Sequence, residues 1–354
     1  MNSIERLYVK EFIVVLLTIT SILSAVMGVF EIIDKLEKLT RFNPGAGLLL
    51  EYWLCVVPKY LKYLLPMAAL ISTLLVFGQA SRYNELTAVK SFGMPVKKLF
   101  TPFIVIGLLL SLMDFVVDSY VASPGNAKAN NILYRIKNKR DRFLFKTGDI
   151  WFMENPGTIV NAEIFVPEAK LFKNIKIFVF KNGRLAEMLT ASDCKWERGV
   201  WVVSGLVKYD LGRLAISRPG TLKVDEIGGL KVYDDSVLLS DEMSFSELYR
   251  YSEGLKRAGY NNQKVMVDFH SKIAYPLTCM VMMLMGIVIS SRLSIGSGTM
   301  SVAIAIAVGL FYWIVFAMAI SLGYSAIVPA FVATWSVPAA FTTFGLYLYR
   351  KIPQ

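Results

Sequence analysis

The stretch Pro66–Pro95, PMAALISTLLVFGQASRYNELTAVKSFGMP, decides how the chain is interpreted. Its first half is an apolar membrane span, and its second half is a short charged helix. Gly93 and Pro95 end that helix, because glycine adopts conformations that interrupt a helix and proline cannot continue one. A membrane helix that leads into a small amphipathic helix can receive force from a separate motor. The stretch therefore predicts a transport protein whose energy comes from a partner.

The composition predicts a membrane protein with six spans. Of the 354 residues, 55% are hydrophobic and only 18% are charged, whereas about a quarter of the residues of a soluble domain are charged. A helix needs about 20 apolar residues to cross a bilayer. A shorter apolar run, Leu99–Met113, is extended by Val116 and Val117 and supplies one span, and the longest run has room for two. The runs without Asp, Glu, Lys or Arg are Phe12–Phe30, Tyr63–Ser81, Ile273–Ser291 and Leu293–Tyr349.

Basic residues flank the spans and predict the orientation. The formal charge is +11, but the cations lie beside apolar runs, which argues against nucleic acid as a partner. Basic residues collect on the cytosolic side of membrane proteins, so we expect both termini in the cytosol. The clusters that would share that side are Arg6 and Lys10, Arg82 and Lys90, Lys97 and Lys98, Arg292, and Arg350 and Lys351.

A polar middle segment separates two membrane halves. In NIKIFVF, Ile175, Ile177 and Val179 alternate with other side chains, and Asn182-Gly183 follows as a hairpin signal. The predicted fold is an α-helical membrane protein with six transmembrane helices, three plus three, and an inserted periplasmic all-β domain of the jellyroll type. The predicted domains are 1–122, 123–242 and 243–354. Ser244 and Glu247 form a capping-box pattern at the start of the last.

No catalytic set is visible in the sequence. His270 is the single histidine, so neither a triad nor a histidine metal site is expected, and no nucleotide-binding loop occurs. Cys55, Cys194 and Cys279 are scattered and odd in number, which favours a packing role. The sequence therefore predicts a non-catalytic subunit without cofactor or metal.

The short helix over 81–93 is the expected contact for a motor. Leu86, Val89 and Phe92 form an apolar stripe, and Arg82 and Glu85 lie on the polar side with Lys90. A solvated connector helix is the alternative. Two further carboxylates, Asp114 and Asp118, are four apart and hence on one helix face. They could form a proton relay or simply lie at the outer end of a span.

The chain resembles the LptF/LptG family of lipopolysaccharide export permeases over nearly its whole length. The shared pattern is Pro-Met-Ala-Ala-Leu, a small-residue span, Gly78, then Ser81-Arg82-x-x-Glu85-Leu86 and the Gly93 stop. The stretch KIAYPLTCMVMMLMG at Lys272–Gly286, with Pro276, looks closer to LptG than to LptF.

The resemblance implies an ATP-driven exporter that passes lipopolysaccharide from the inner membrane to a periplasmic bridge. Its partners would be an LptF-type permease, an LptB-type ATPase dimer, and LptC-type and LptA-type periplasmic jellyroll proteins. The coupling residues carried onto this chain are Arg82, Glu85, Leu86 and Val89.

The cargo site is predicted less directly. Some family members have a lysine near the outer end of the first span for lipid A phosphate, and Glu31 stands there in this chain. Nearby cations could substitute, because phosphate forms charge-assisted hydrogen bonds with them. The candidates are Lys35, Lys38, Arg41, Lys59 and Lys62. Alternatives for the whole chain are a membrane scaffold without transport, or a permease for another lipid or a lipoprotein.

Overall fold

A computed structural model describes most of the chain in two units. It covers residues 3–40, 45–91, 93, 95–138, 150–155, 157–166, 170–181, 184–197, 200–212, 215–224, 239–257, 262–292 and 298–352. One unit combines Met1–Lys137 with Gln263–Gln354, and the other is Asn138–Asn262. The domain boundaries drawn from the sequence at 122/123 and 242/243 stay predictions.

The described residues form ten α-helices and one π-helical turn. The turn is Asp118–Ala122, and the helices are α1 Ser3–Thr40, α2 Ala46–Arg82, α3 Glu85–Ser91, α4 Val96–Val117, α5 Ser123–Asn138, α6 Phe245–Arg257, α7 Gln263–Ala274, α8 Thr278–Arg292, α9 Gly298–Tyr324 and α10 Ala330–Arg350.

The helices supply up to six membrane spans. Five segments are long and apolar enough to cross a bilayer, namely Ile4–Lys35, Ala46–Arg82, Val96–Ile136, Gly298–Tyr324 and Ala330–Arg350. The pair α7 and α8 passes the same test together but is bent by 50°. Pro276 lies at the break, where its missing N–H weakens the helix. The predicted arrangement of three spans before and three after the polar middle is confirmed.

The third span is followed by more helix than the sequence suggested. Ser123-Pro124-Gly125 looked like the start of the β module, but α4 continues through the π-helical turn into α5. Pro124 is tolerated because the first turn of a helix needs no N–H donor. A Cβ on Gly125 would lie 2.7 Å from the carbonyl oxygen of Cys55, so glycine allows α5 to approach α2 closely.

Aromatic and small residues hold the helical unit together. Phe12, Phe77, Phe100 and Phe103 are fully buried in one cluster, and the rings of Phe77 and Phe103 lie 4.7 Å apart in an edge contact. A Cβ on Gly286 would meet the side chain of Thr73 at 2.8 Å. Close helix approach at small residues, expected from the sequence, is therefore observed between α2 and α8.

The other unit contains a six-stranded antiparallel sheet in which consecutive strands are neighbours. Its strands are β1 Ile150–Asn155, β2 Thr158–Val166, β3 Leu171–Lys181, β4 Arg184–Glu197, β5 Val200–Asp210 and β6 Ala215–Val224. Trp201 and Phe172 are at the centre of its apolar cluster. The predicted fold class, membrane helices with an inserted all-β domain, is confirmed.

Two local predictions in this unit can be followed residue by residue. Lys181 pairs with Arg184 across the β3–β4 ladder, so a hairpin forms where it was expected, although Asn182-Gly183 itself lies outside the described residues. At the start of α6, Glu247 accepts from the backbone N–H of Ser244 at 2.8 Å, and the N–H of Glu247 donates to Ser244 Oγ at 3.4 Å. The capping box is therefore confirmed.

All three cysteines are free thiols. Cys194 is fully buried in the apolar cluster of the sheet. Burial disfavours the charged thiolate and raises the pKa of Cys194 to about 12. The thiol therefore stays protonated and packs as a small apolar side chain.

Candidate functional site

The predicted coupling segment is divided into two parts in the structure. Ser81 and Arg82 form the end of α2, and α3 covers Glu85–Ser91. Asn84, between them, has a φ of 57°, a left-handed conformation that asparagine adopts more readily than most residues. Gly93 follows α3 with a φ of 75°, which explains why glycine ends the segment.

The apolar stripe of α3 faces the protein's own core. Leu86 and Val89 are each only 8% exposed, and Leu86 packs in the same cluster as Tyr8 and Val96. Arg82 and Glu85 are exposed, as expected for residues that meet a partner. The side chains of Lys90 and Phe92 lie outside the described residues. Direct contact of Leu86 and Val89 with an ATPase stays a prediction.

A tyrosine from the first helix binds the predicted coupling carboxylate. Tyr8 Oη donates to Glu85 Oε2 at 2.5 Å, and its ring stacks on Phe77 with centroids 5.9 Å apart. This bond joins the start of α1 to the start of α3. Force applied to Glu85 can therefore reach the first span as well as the second and third.

A second polar site surrounds Glu31, near the other end of α1. Glu31 and Tyr8 are 23 residues apart, or about 35 Å along a helix. Tyr52 Oη donates to Glu31 at 2.8 Å, and Lys35 Nζ and Tyr60 Oη also donate to it. Lys35, a predicted phosphate ligand, is therefore already paired with a carboxylate. The side chain of Lys38 and all of Arg41 lie outside the described residues.

A third polar site is buried where α2, the π-helical turn and α7 meet. Lys62 Nζ donates to Asp118 Oδ1 at 2.9 Å, and Lys272 Nζ donates to Asp118 Oδ2 at 3.3 Å. Lys272 also donates to Ser123 Oγ at 2.9 Å. Asp118 thus holds together three parts of the helical unit. The π-helical turn that begins at Asp118 fits this arrangement, since such turns occur frequently at functional sites.

Asp114 lies one turn before Asp118, and no described residue forms a hydrogen bond with its carboxylate. It is 1% exposed, and neither carboxylate oxygen has a hydrogen-bond donor within reach. Both carboxylates share one helix face, as their spacing predicts. The structure adds that only Asp118 is paired.

The two predicted cargo lysines of α2 are both at least partly buried. The Lys62 side chain is only 13% exposed because it reaches inward to Asp118, and Lys59 is half-buried. A role of Lys59 and Lys62 in binding lipid stays a prediction, and for Lys62 it would compete with Asp118.

Sequence reasoning missed the partners rather than the charged residues. Tyr8, Tyr60 and Lys272 each complete a polar site, but each comes from a helix distant in sequence from the carboxylate that it binds. The one available signal was Lys272, a cation directly before a charge-free run. Intramembrane cations generally have a partner.

The described residues contain no cluster of metal-ligating side chains. His270 packs between aromatic rings, with centroid distances of 5.6 Å to Phe269 and 5.8 Å to Phe331.

The fold and the polar sites define a polytopic membrane protein with an inserted β domain and a short helix joining two spans. Comparison with known proteins makes the assignment specific: the family model "Lipopolysaccharide export system permease LptF/LptG" matches residues 6–351. The chain belongs to this family of lipopolysaccharide export permeases.

Individual relatives agree. The chain is 27% identical over 293 residues to the lipopolysaccharide export system permease protein LptG of Escherichia coli K12. The aligned region covers 78% of this chain and 77% of that protein. It is 22% identical over 342 residues to LptG of Haemophilus influenzae Rd, covering 89% of this chain and 88% of that protein. The likeness to LptG predicted from the Pro276 stretch is confirmed. The family also supports an inner-membrane, multi-pass transporter subunit.

Proposed function

We propose that this chain is the non-catalytic half of an ATP-driven lipopolysaccharide exporter, in which a partner ATPase supplies the energy. The paired subunit would be an LptF-type permease, the motor an LptB-type ATPase dimer, and the receiving proteins LptC-type and LptA-type periplasmic jellyrolls. Both termini and α3 would be cytosolic, and the β domain periplasmic.

The observation that carries the proposal is the construction of α3. Leu86 and Val89 fasten the helix to the core, while Arg82 and Glu85 remain on the surface. Tyr8 connects Glu85 to the first span. A helix that is attached on one face and charged on the other can transmit a push from a docked motor, whereas a loosely held connector could not.

The coupling role is tested with Glu85→Lys in the complex. Charge reversal removes the acceptor of Tyr8 and repels a basic docking surface. We expect the protein to insert in the membrane but to lose most of the co-purified ATPase. Glu51→Lys, the same change on an exposed carboxylate of α2, is the control and should leave the ATPase bound. Unchanged co-purification with Glu85→Lys would refute the docking claim.

The cargo role is tested by reversing the charges of Lys35, Lys38 and Arg41 together. Loss of charge-assisted phosphate contacts should lower crosslinking to lipopolysaccharide in membranes several-fold. The control reverses Lys97 and Lys98, at the start of α4, and Arg350, the last residue of α10. Equal crosslinking in the two triple variants would show that Lys35, Lys38 and Arg41 do not bind the lipopolysaccharide.

The orientation is tested by cysteine labelling in a variant that lacks the native cysteines. A membrane-impermeant maleimide added to whole cells with a permeable outer membrane should label Asn182→Cys but not Tyr83→Cys. Tyr83 lies at the end of α2 and is 66% exposed, so it is accessible once the membrane is opened. The reverse labelling pattern would invert the proposed topology.

A further inference from the structure

A polar pocket of about 500 Å³ lies between the sheet and α6, within the size range of ligand sites, about 300–1,000 Å³. The residues that line it come from β2, β3 and α6, all within one unit. Along β2 the cluster residues Val160 and Ala162 flank Asn161. Because successive strand residues point to opposite faces, Asn161 points away from Val160 and Ala162.

The floor of the pocket offers an unused hydrogen-bond donor beside a cation. Asn161 pairs directly with Lys176 in the β2–β3 ladder, so the two side chains are neighbours on one face. Asn161 is only 5% exposed, and its Nδ2 has no hydrogen-bond partner among the residues that the structure describes. Buried donors are almost always satisfied. A buried, unsatisfied amide that lines a cavity therefore points to a ligand that accepts its hydrogen bond.

The helical wall of the pocket adds two more cations. Arg250 and Arg257 are seven residues apart on α6, so they share a face two turns apart, about 10 Å along the axis. Gly254 lies between them, and a Cβ there would be 3.3 Å from Ile164 Cδ1. Tyr251 Oη also donates to the carbonyl oxygen of Phe165 at 3.3 Å. These contacts hold the arginines over the floor.

Two carboxylates complete the lining and restrict the kind of ligand that fits the pocket. Glu163 accepts from Asn174 Nδ2 at 2.6 Å, and Glu253 pairs with Lys256 at 3.8 Å. A carboxylate retains further acceptor capacity, which suits hydroxyl groups rather than a second anion. The pocket thus presents cations and an amide for a strong acceptor, and carboxylates for donors.

We propose that this pocket binds a phosphorylated sugar. The phosphate is held by Lys176, Arg250 and the amide of Asn161, and sugar hydroxyls donate to Glu163 and Glu253. A soluble sugar phosphate and the headgroup of a phosphorylated glycolipid share this chemistry. The site stands on the pocket alone and does not depend on the export function.

The test is equilibrium binding to the purified full chain in detergent. The probes are glucose 1-phosphate, glucose and inorganic phosphate. We expect saturable binding of glucose 1-phosphate and at least tenfold weaker binding of the other two. Arg250→Ala and Asn161→Asp should each weaken binding about tenfold or more, since each removes a hydrogen bond to a charged group. Lys208→Ala, in β5 and outside the pocket lining, is the control and should bind as the parent does.

Competition identifies the source of the ligand. Displacement of glucose 1-phosphate by solubilised lipopolysaccharide assigns the site to a glycolipid headgroup, and no displacement assigns it to a soluble sugar phosphate. No saturable binding at millimolar concentrations overturns the proposal, as does an equal loss in Arg250→Ala and Lys208→Ala. Arg250 is exposed, so its variant remains informative if Asn161→Asp fails to fold. Failure here leaves ATPase co-purification, the test of the proposed function, unaffected.

Discussion

Two polar sites in the helical unit use a carboxylate in opposite ways. Glu85 is exposed and is bound by one neutral hydroxyl, that of Tyr8, at 2.5 Å. Asp118 is 3% exposed and accepts from two ammonium groups, Lys62 and Lys272. Glu85 is accessible from solvent, whereas the charge of Asp118 is compensated within the protein.

The difference predicts which residues control stability and which control coupling. Removing one member of a buried ion pair leaves an uncompensated charge in a low-dielectric environment. Removing a group from a solvated surface exposes its partner to water, which solvates it. Changes at Asp118 should therefore weaken the fold, and changes at Glu85 should mainly affect binding.

The largest effect is expected for Asp118→Asn. The substitution keeps the shape but removes the carboxylate charge to which Lys62 and Lys272 both donate, and it should lower the free energy of unfolding in detergent by about 3–5 kcal/mol. Lys128→Ala breaks the exposed Lys128–Glu51 pair of 2.8 Å and is the control, for which no measurable change is expected. Comparable losses in the two variants would show that burial does not distinguish these ion pairs.

An effect of opposite sign is expected at the neighbouring carboxylate. Asp114 is buried with no donor for either oxygen, and an unsatisfied buried polar group costs about 1–3 kcal/mol. Asp114→Leu, of similar size, should therefore raise the free energy of unfolding by about 1 kcal/mol or more, measured in the same detergent. A loss of stability would mean that Asp114 has a stabilising partner, as a proton relay or a bound cation would supply.

The contrast between these two carboxylates also marks what the sequence could predict. Because Asp114 and Asp118 are four residues apart, the sequence predicts that both lie on one face of α4 and its continuation. Charge-free runs likewise predict the spans, since both features depend on local periodicity. Which carboxylate is paired depends on Lys62, 56 residues away, and on Lys272, 154 residues away. Such pairings follow from helix packing, which no local pattern encodes.

The coupling helix shows the same limit. The sequence predicts one amphipathic helix with Arg82 and Glu85 on its polar side, whereas the structure places Arg82 at the end of α2 and Glu85 in α3, with both side chains exposed. It could not show that Leu86 and Val89 face the core, because an apolar stripe fits equally well against a partner or against the protein itself. Contacts of α3 with α2 and α4 settle that question.

The smallest effect is expected for Tyr8→Phe, which removes the hydrogen bond between Tyr8 and Glu85 but leaves the carboxylate of Glu85 in place. The hydroxyl is lost while the ring can still stack on Phe77, so the free energy of unfolding should fall by only about 1 kcal/mol. The exposed carboxylate of Glu85 remains, so the ATPase should still co-purify. Its lipopolysaccharide-stimulated ATP hydrolysis should decrease, because α1 is no longer joined to α3. Tyr83→Phe, which removes a hydroxyl from a 66% exposed ring nearby, should change neither quantity. Release of the ATPase by Tyr8→Phe, as expected for Glu85→Lys, would show that the hydroxyl belongs to the docking surface itself. The contrast between an accessible carboxylate at Glu85 and an internally paired one at Asp118 would then not hold.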